Sequence, residues 1–141
     1  MKRRTRALIA TLLILCTFIS LVPSAAAAGE PPTVQPLMDI IVYSSCQLSI
    51  SDGIATIECS ARGTPGKTDK IQLTIELQQL QSSWTTIDTY YVTSYTNYAS
   101  FYKEVPVAKG YFYRIKLTIK MWHDTNTETK VMYSKSVYAK P

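Results

Sequence analysis

Residues 113–121 have the sequence YRIKLTIKM, in which every second side chain is large and apolar. Residues 71–78, IQLTIELQ, repeat the same period of two. Because successive side chains of a β-strand point to opposite faces of a sheet, this period predicts strands with one buried face. No stretch beyond residue 28 has the period of about 3.6 residues that an amphipathic helix requires, so the pattern predicts an all-β domain.

Turn residues divide the chain beyond residue 40 into seven runs of this kind. The runs are 40–51, 54–62, 70–80, 84–92, 97–105, 111–122 and 130–138. Several short strands with turns about every ten residues are typical of two antiparallel sheets packed on each other. The expected fold is therefore an antiparallel β-sandwich of about seven strands.

The first hairpin is predicted in most detail, because Asp52 and Gly53 both tolerate the positive φ of a two-residue turn. The resulting register places Cys46 opposite Cys59 in a non-hydrogen-bonded pair, whose Cα atoms are about 4.5 Å apart. Outside the cytosol such a pair would form a disulfide worth about 3 kcal/mol. The alternative is that both cysteines are reduced and serve as small buried apolar residues.

The N-terminal region has the three parts of a secretory signal peptide. Residues 1–6 include four basic side chains, residues 7–22 are mostly apolar and carry no charge, and small residues follow up to Ala28. We expect a signal-peptide helix over residues 1–28, with cleavage near Ala28 and a secreted, extracellular product. The alternative is an uncleaved anchor, but a span usually takes about 20 apolar residues, so we expect no membrane contact after cleavage.

The predicted domain organisation is simple. Residues 29–39 contain three prolines and form a leader, because this composition favours extended, weakly ordered chain. Residues 40–141 show no internal repeat and no second linker, and we expect them to form one β-sandwich domain.

The basic character of the chain belongs mainly to the signal peptide. The full chain has a net charge of +5, with fifteen basic and ten acidic residues. Four of the basic residues precede position 7, which leaves eleven against ten after cleavage and a net charge of +1. Arg114, Lys116 and Lys120 would share one strand face, which we interpret as a solvated surface. We therefore expect no nucleic-acid partner.

Tyrosines are concentrated in the middle of the chain, where seven of the ten lie within residues 90–113. Adjacent Tyr90 and Tyr91 must point to opposite faces of a regular strand, so one ring is exposed. We predict Tyr90, Tyr91, Tyr95 and Tyr98 as surface-binding residues that stack on sugar rings or anchor a protein partner. The alternative is that the tyrosines are simply good strand formers.

Residues of catalytic or metal-binding type are few. His123 is the single histidine and lies in the polar segment 123–128, so no nucleophile with a partner base is evident. Asp124, Asn126 and Glu128 alternate as in a calcium loop, but the glycine and final glutamate of an EF-hand are missing. We predict no enzyme activity, no catalytic residue, no metal and no cofactor.

Two resemblances add to this interpretation. The first is carried by Cys46-x-Leu48-x-Ile50, Ala55, Ile57, Gly63, residues 71–77 leading to Trp84, Lys109-Gly110, residues 113–116 and Glu128. This set resembles a family of small secreted proteins of Gram-positive bacteria that is known only as a domain of unknown function. The resemblance implies secretion and a β-sandwich fold, and it assigns no functional residue.

The second resemblance concerns residues 110–115, GYFYRI. They are similar to the start of strand F in immunoglobulin-like domains, where a tyrosine hydroxyl bonds back to the backbone at a corner. The resemblance implies an immunoglobulin-like sandwich in which Tyr113 is the corner residue. An ordinary half-buried tyrosine is the alternative.

Taken together, the residues favour a protein that acts through its surface. The leading hypothesis is a non-enzymatic binding module or a cell-envelope-associated module, whose partner is a cell-surface glycan or protein. A carbohydrate-binding module that uses exposed tyrosines is one alternative. A secreted antimicrobial or toxin-like protein is the other.

Overall fold

The computed structural model describes residues 40–141, and the predicted signal peptide and leader lie outside them. The described residues form eight β-strands and no helix, which confirms the all-β prediction. The strands are β1 (Ile41–Ser51), β2 (Ile54–Gly63), β3 (Lys70–Leu80), β4 (Trp84–Ser94), β5 (Tyr98–Pro106), β6 (Phe112–His123), β7 (Asn126–Tyr133) and β8 (Val137–Tyr138). This part of the chain accordingly has no helix of a length and hydropathy that would cross a membrane.

The strands form two antiparallel sheets. A three-stranded sheet has the order β1-β2-β5, and a five-stranded sheet has the order β4-β3-β6-β7, with β8 paired to the beginning of β6. Buried side chains from both sheets belong to one hydrophobic core. The two-layer antiparallel architecture predicted from the sequence is therefore present.

The core follows the period of two quoted above. Alternate residues of β3 and β6 have no exposed surface: Ile71, Leu73, Ile75, Leu77, Tyr113, Ile115, Leu117, Ile119 and Met121. Smaller residues dominate the facing strands β2 and β5: Ala55, Ile57, Cys59, Ala61 and Ala99. Large side chains of one sheet thus meet mostly small ones of the other, which allows the two sheets to pack closely.

The predicted register of the first hairpin is confirmed. Asp52 has a φ of 50° and Gly53 a φ of 75°, as the two-residue turn requires. Ser51 faces Ile54, and Cys46 faces Cys59.

The prediction of one final strand over residues 130–138 is wrong. Asp124 adopts a φ of 50° and allows a tight turn after His123, so the polar residues from Asn126 onward continue as β7 beside β6. The chain then leaves the sheet at Ser134, whose hydroxyl accepts the N–H of Ile115 at 2.8 Å. The short strand β8 is therefore separate from β7, because the Ser134 hydroxyl accepts the Ile115 N–H that a continuing strand would bind through its backbone.

The predicted tyrosine corner is confirmed in its geometry. The buried Tyr113 hydroxyl donates to the carbonyl oxygen of Ala108 at 2.8 Å, five residues upstream. It also accepts a hydrogen bond from Nε2 of the buried Gln79 at 3.0 Å. The side chain therefore ties the connection between β5 and β6 to strand β3.

Candidate functional site

The outer face of the three-stranded sheet carries side chains in rows that cross the strands. The central row consists of Ser45, Ser60 and Ser100 on β1, β2 and β5. The neighbouring rows are Tyr43, Arg62 and Tyr98 on one side, and Gln47, Glu58 and Tyr102 on the other. We call these nine residues the tyrosine groove. Its central part encloses a shallow cavity of about 340 Å³.

Two tyrosine rings stand on strand β5 at the side of the groove. The exposed fraction is 45% for Tyr98 and 62% for Tyr102. Because the two residues are four positions apart, their rings share a face and lie about 13 Å apart along the strand. They are therefore placed to contact two separate parts of one extended ligand.

Both rings are held by neighbouring side chains. The guanidinium of Arg62 lies 5.7 Å from the centre of the Tyr98 ring. The hydroxyl of Tyr102 donates to Oε1 of Glu104 at 2.6 Å, and this hydrogen bond raises the pKa of Tyr102. Since restrained side chains lose less conformational entropy on binding, these contacts prepare the rings for a ligand.

The floor of the groove is polar and accessible to hydrogen bonding. Its serine hydroxyls donate and accept, the Gln47 amide does both, and the Glu58 carboxylate accepts. Within residues 40–141 no side-chain hydrogen bond or ion pair occupies the three serines, Gln47 or Glu58. A ligand in the groove would therefore meet polar groups that are free to bind it.

The four tyrosines predicted as a binding surface do not come together. Tyr91 is 69% exposed, but it lies on the outer face of the five-stranded sheet, opposite the groove. Tyr95 is 79% exposed in the connection between β4 and β5. Tyr98 alone of the four belongs to the groove.

Tyr90 is half-buried rather than exposed, because it points toward the core while Tyr91 points outward. Its ring stacks on Phe101 with the centres 5.2 Å apart. Burial and a hydrogen bond to the Asp88 carboxylate raise the pKa of Tyr90 to about 12. The prediction that the two neighbours face opposite ways is correct, but Tyr90 serves packing.

The binding residues predicted from the sequence did not include Tyr43, Tyr102 or the serine row. The period of two along β5 could have grouped Ser100 and Tyr102 with Tyr98. The first hairpin already placed Ser60 opposite Ser45. Their position beside Ser100 depends on the pairing of β2 with β5, which no local pattern indicates.

The outer face of the five-stranded sheet carries cations beside aromatic rings. Arg114 lies between Trp84 and Tyr133, with its guanidinium carbon 4.2 Å and 4.4 Å from the two ring centres. Lys70 and Lys120 lie 3.9 Å and 5.1 Å from the centre of the Trp122 ring. The predicted common face of Arg114, Lys116 and Lys120 is confirmed, since buried residues of β6 separate them.

One ion pair on this face has a testable pH dependence. Nζ of Lys116 lies 2.7 Å from Oε2 of Glu76. This contact lowers the pKa of Glu76 and raises the pKa of Lys116. Because folding lowers the pKa of Glu76, its ion pair stabilises the fold above the ordinary carboxyl pKa of 4.5, and this contribution is lost as the pH falls. Because folding raises the pKa of Lys116, the amine contributes below its ordinary pKa of 10.5, and this contribution is lost as the pH rises.

We expect Glu76→Gln to lower the stability at neutral pH by at most about 1 kcal/mol, because the pair is partly exposed to solvent. The difference from the native protein should shrink at acidic pH, because the native carboxylate becomes protonated once the pH falls below its lowered pKa. Thermal denaturation of both proteins at neutral and at acidic pH measures this difference in stability. Glu58→Gln is the matched control, because it removes a carboxylate that has no ion-pair partner in residues 40–141. If Glu76→Gln lowers the stability equally at both pH values, the prediction is contradicted.

The thiols of Cys46 and Cys59 lie 3.4 Å apart, and Cys59 donates a hydrogen bond to Cys46. Both cysteines are free thiols in the structure. Cys59 is buried, whereas Cys46 is partly exposed. The structure thus brings the predicted pair together without a covalent bond, and the disulfide stays a prediction.

His123 lies at the end of β6 between two exposed carboxylates. Its Nδ1 is 3.6 Å from Oδ2 of Asp69, and its Nε2 is 3.7 Å from Oδ2 of Asp124. The N–H of Asp124 donates to the same Asp69 oxygen at 2.7 Å. One nitrogen and two carboxylates are a donor set for divalent metals. The contacts present hold the loop before β3 against the β6–β7 turn.

Asp124 and Glu128, which were considered for calcium, make different contacts: Asp124 lies with Asp69 and His123, whereas Glu128 binds backbone N–H groups. The carboxylate of Glu128 accepts the N–H groups of Ile40 and Ile41, each at 3.0 Å. It lines a cavity of about 480 Å³ at this end of the domain, together with Ile40, Lys67, His123, Asn126 and Thr127. This cavity is larger than the groove, but its carboxylate already fastens the beginning of β1.

The two outer faces therefore offer non-covalent binding chemistry of different kinds. One presents tyrosine rings and neutral hydroxyls, and the other presents cations beside aromatic rings. No protein-family model and no curated protein matches this chain.

Proposed function

We propose that the protein is a secreted, non-enzymatic binding module that holds a cell-surface glycan in the tyrosine groove. The observation that carries the proposal is the position of the exposed rings of Tyr98 and Tyr102 beside a floor of unoccupied serine hydroxyls. The signal-peptide pattern of residues 1–28 supports export. The tyrosine corner at Tyr113 supports an immunoglobulin-like type of sandwich.

A sugar chain fits the chemistry of the groove on two counts. The C–H face of a sugar ring is weakly positive, and it packs on the negative face of an aromatic ring. The sugar hydroxyls, directed outward around the ring, can exchange hydrogen bonds with the serines and Gln47. The tyrosines and the floor thus satisfy the apolar and the polar parts of the same ligand.

A protein partner fits less well. Stable protein interfaces bury about 800 Å² on each side around an apolar centre that excludes water. The centre of the groove is instead the row Ser45, Ser60 and Ser100, with Gln47 and Glu58 beside it. The apolar rings lie at the side, which suits a narrow, hydroxylated chain.

The charge of this face favours a neutral glycan. Its outward side chains include one cation, Arg62, and two carboxylates, Glu58 and Glu104. The excess of one negative charge disfavours acidic sugars. Arg62 is itself directed toward Tyr98 rather than toward the serine row.

The experiment is retention of the mature protein on a panel of insoluble neutral polysaccharides. We expect Tyr98→Ala and Tyr102→Ala each to weaken binding about tenfold, as for the loss of one central contact. Tyr91→Ala is the matched control, because it removes a more exposed ring from the opposite sheet.

Circular dichroism and thermal denaturation check that each variant is folded. Free passage of the native protein through every column contradicts the proposal. So does loss of retention in Tyr91→Ala with retention intact in Tyr98→Ala, since that result would place the ligand on the other face.

A further inference from the structure

The charges of the domain are separated between its two outer faces. The outer face of the five-stranded sheet carries four cations and one carboxylate: Lys70, Arg114, Lys116, Lys120 and Glu76. We call these five residues the cationic face. The tyrosine groove side has one cation and two carboxylates, so a mature chain that is nearly neutral overall has one strongly positive surface. This feature is independent of the proposed glycan site.

Most of these cations are held by aromatic rings rather than by carboxylates. Arg114 is placed between Trp84 and Tyr133, while Lys70 and Lys120 share the ring of Trp122. A ring attracts a cation through its quadrupole but carries no net charge, so it leaves the positive charge unneutralised. Among the four cations, Lys116 has the carboxylate partner. The face therefore retains an outward positive potential.

The cations are arranged along a line. Arg114, Lys116 and Lys120 follow one another on the outer side of β6, and side chains two residues apart on a strand are about 6.7 Å apart. The line therefore extends about 20 Å. Lys70 pairs with Trp122 and continues the line past Lys120. A ligand with repeated negative charges along its length matches this arrangement better than a compact anion does.

We propose that the cationic face binds a linear polymer of phosphate groups. Each phosphate offers several acceptor oxygens, which neighbouring Arg114 and Lys116 can contact together. The Nε–H of Arg114 is bonded to Gln78 at 2.8 Å, and this bond fixes the guanidinium while its terminal nitrogens stay available. Binding releases counterions from the polymer and is therefore weakened by salt.

Single-stranded nucleic acid is the less suitable polyanion. Proteins that bind it stack the bases on open aromatic rings. Here Arg114 lies over the rings of Trp84 and Tyr133, and two lysines lie beside the ring of Trp122. The cations occupy the positions that bases would need, so the face is suited to phosphates rather than to bases.

The test measures binding of mature protein to inorganic polyphosphate of defined length at several salt concentrations. We expect the double variant Lys70→Gln, Lys120→Gln to bind about tenfold more weakly at low salt. The slope of log affinity against log salt should fall by about two, one for each lysine. The double variant Lys103→Gln, Lys109→Gln has the same net charge, changes residues outside this face and should behave as the native protein.

Four results would overturn the proposal: no binding at low salt, an equal loss in both double variants, tighter binding of single-stranded DNA, or equal binding of a carboxylate polymer such as polygalacturonate. The second result would mean that only net charge matters. Tyr98→Ala should bind polyphosphate normally, which separates this proposal from the glycan site.

Discussion

Replacement of Tyr113 by phenylalanine is expected to lower the free energy of unfolding by about 2 to 3 kcal/mol. The hydroxyl is bonded to the Ala108 carbonyl and to the amide of Gln79, which is 9% exposed. The variant leaves the buried amide of Gln79 without this partner, at a cost of about 1 to 3 kcal/mol, and it also loses the hydrogen bond to Ala108, which is an exposed residue. For a domain of about 100 residues, the midpoint of thermal unfolding should fall by about 10 to 20 °C.

Urea denaturation of the two proteins measures the difference. Tyr111→Phe is the matched control, because it removes the same atom from an exposed ring two residues earlier. That variant should stay within about 0.5 kcal/mol of the native protein. Equal stabilities for Tyr113→Phe and Tyr111→Phe would contradict a structural role for the corner.

Local patterns were sufficient for much of the fold. The alternation in residues 71–78 and 113–121 is a property of each strand alone, and it predicted the buried face of β3 and β6. The Asp52-Gly53 turn joins adjacent strands, so its type also fixed which residues of β1 and β2 face each other. The role of Tyr113 was implied by the resemblance of residues 110–115 to strand F of immunoglobulin-like domains, and the hydroxyl does bond five residues upstream.

The last part of the chain was mispredicted for a different reason. The polar segment 123–128 lies between the predicted runs 111–122 and 130–138 and was not assigned to a strand. It contributes instead the beginning of β7, an edge strand, and edge strands commonly carry polar side chains toward solvent. The tight turn at Asp124 and Thr125 lacks the glycine that marks the Asp52-Gly53 turn, so its sequence signal is weaker.

The binding faces could not be derived from the sequence, because they depend on pairing between distant strands. Ser60 faces Ser100 only because β2 pairs with β5, although two strands of the other sheet lie between them in the chain. Arg114 likewise meets Trp84 across β3, through pairings with no local signature. A period of two assigns a residue to a face, but the neighbours on that face follow from the whole topology.

The pair of cysteines gives the other large expected effect. Cys46 and Cys59 are direct neighbours in the first hairpin, and their sulfur atoms are 3.4 Å apart. In an oxidising compartment, loss of two protons and two electrons to a disulfide catalyst would join them. The hydrogen bond to Cys46 and burial raise the pKa of the Cys59 thiol, which disfavours its thiolate. The partly exposed Cys46 is therefore the thiol expected to react first.

We expect mature protein recovered from an oxidising compartment to have no reactive thiol after denaturation without reductant. Cys16 belongs to the predicted signal peptide, so the mature chain retains two cysteines. Reduction should lower the free energy of unfolding by about 3 kcal/mol, because the open chain regains the entropy lost in a loop of this size. The two cysteines are 13 positions apart.

The double variant Cys46→Ala, Cys59→Ala separates the crosslink from the packing of the two side chains. Its stability should not change with reductant, whereas that of the native protein should fall toward the variant's value. Two reactive thiols per denatured, unreduced chain would contradict the disulfide. Each cysteine also fills space in or beside the core, and alanine in its place leaves a cavity. Even without a disulfide, the reduced native protein should therefore be more stable than the double variant.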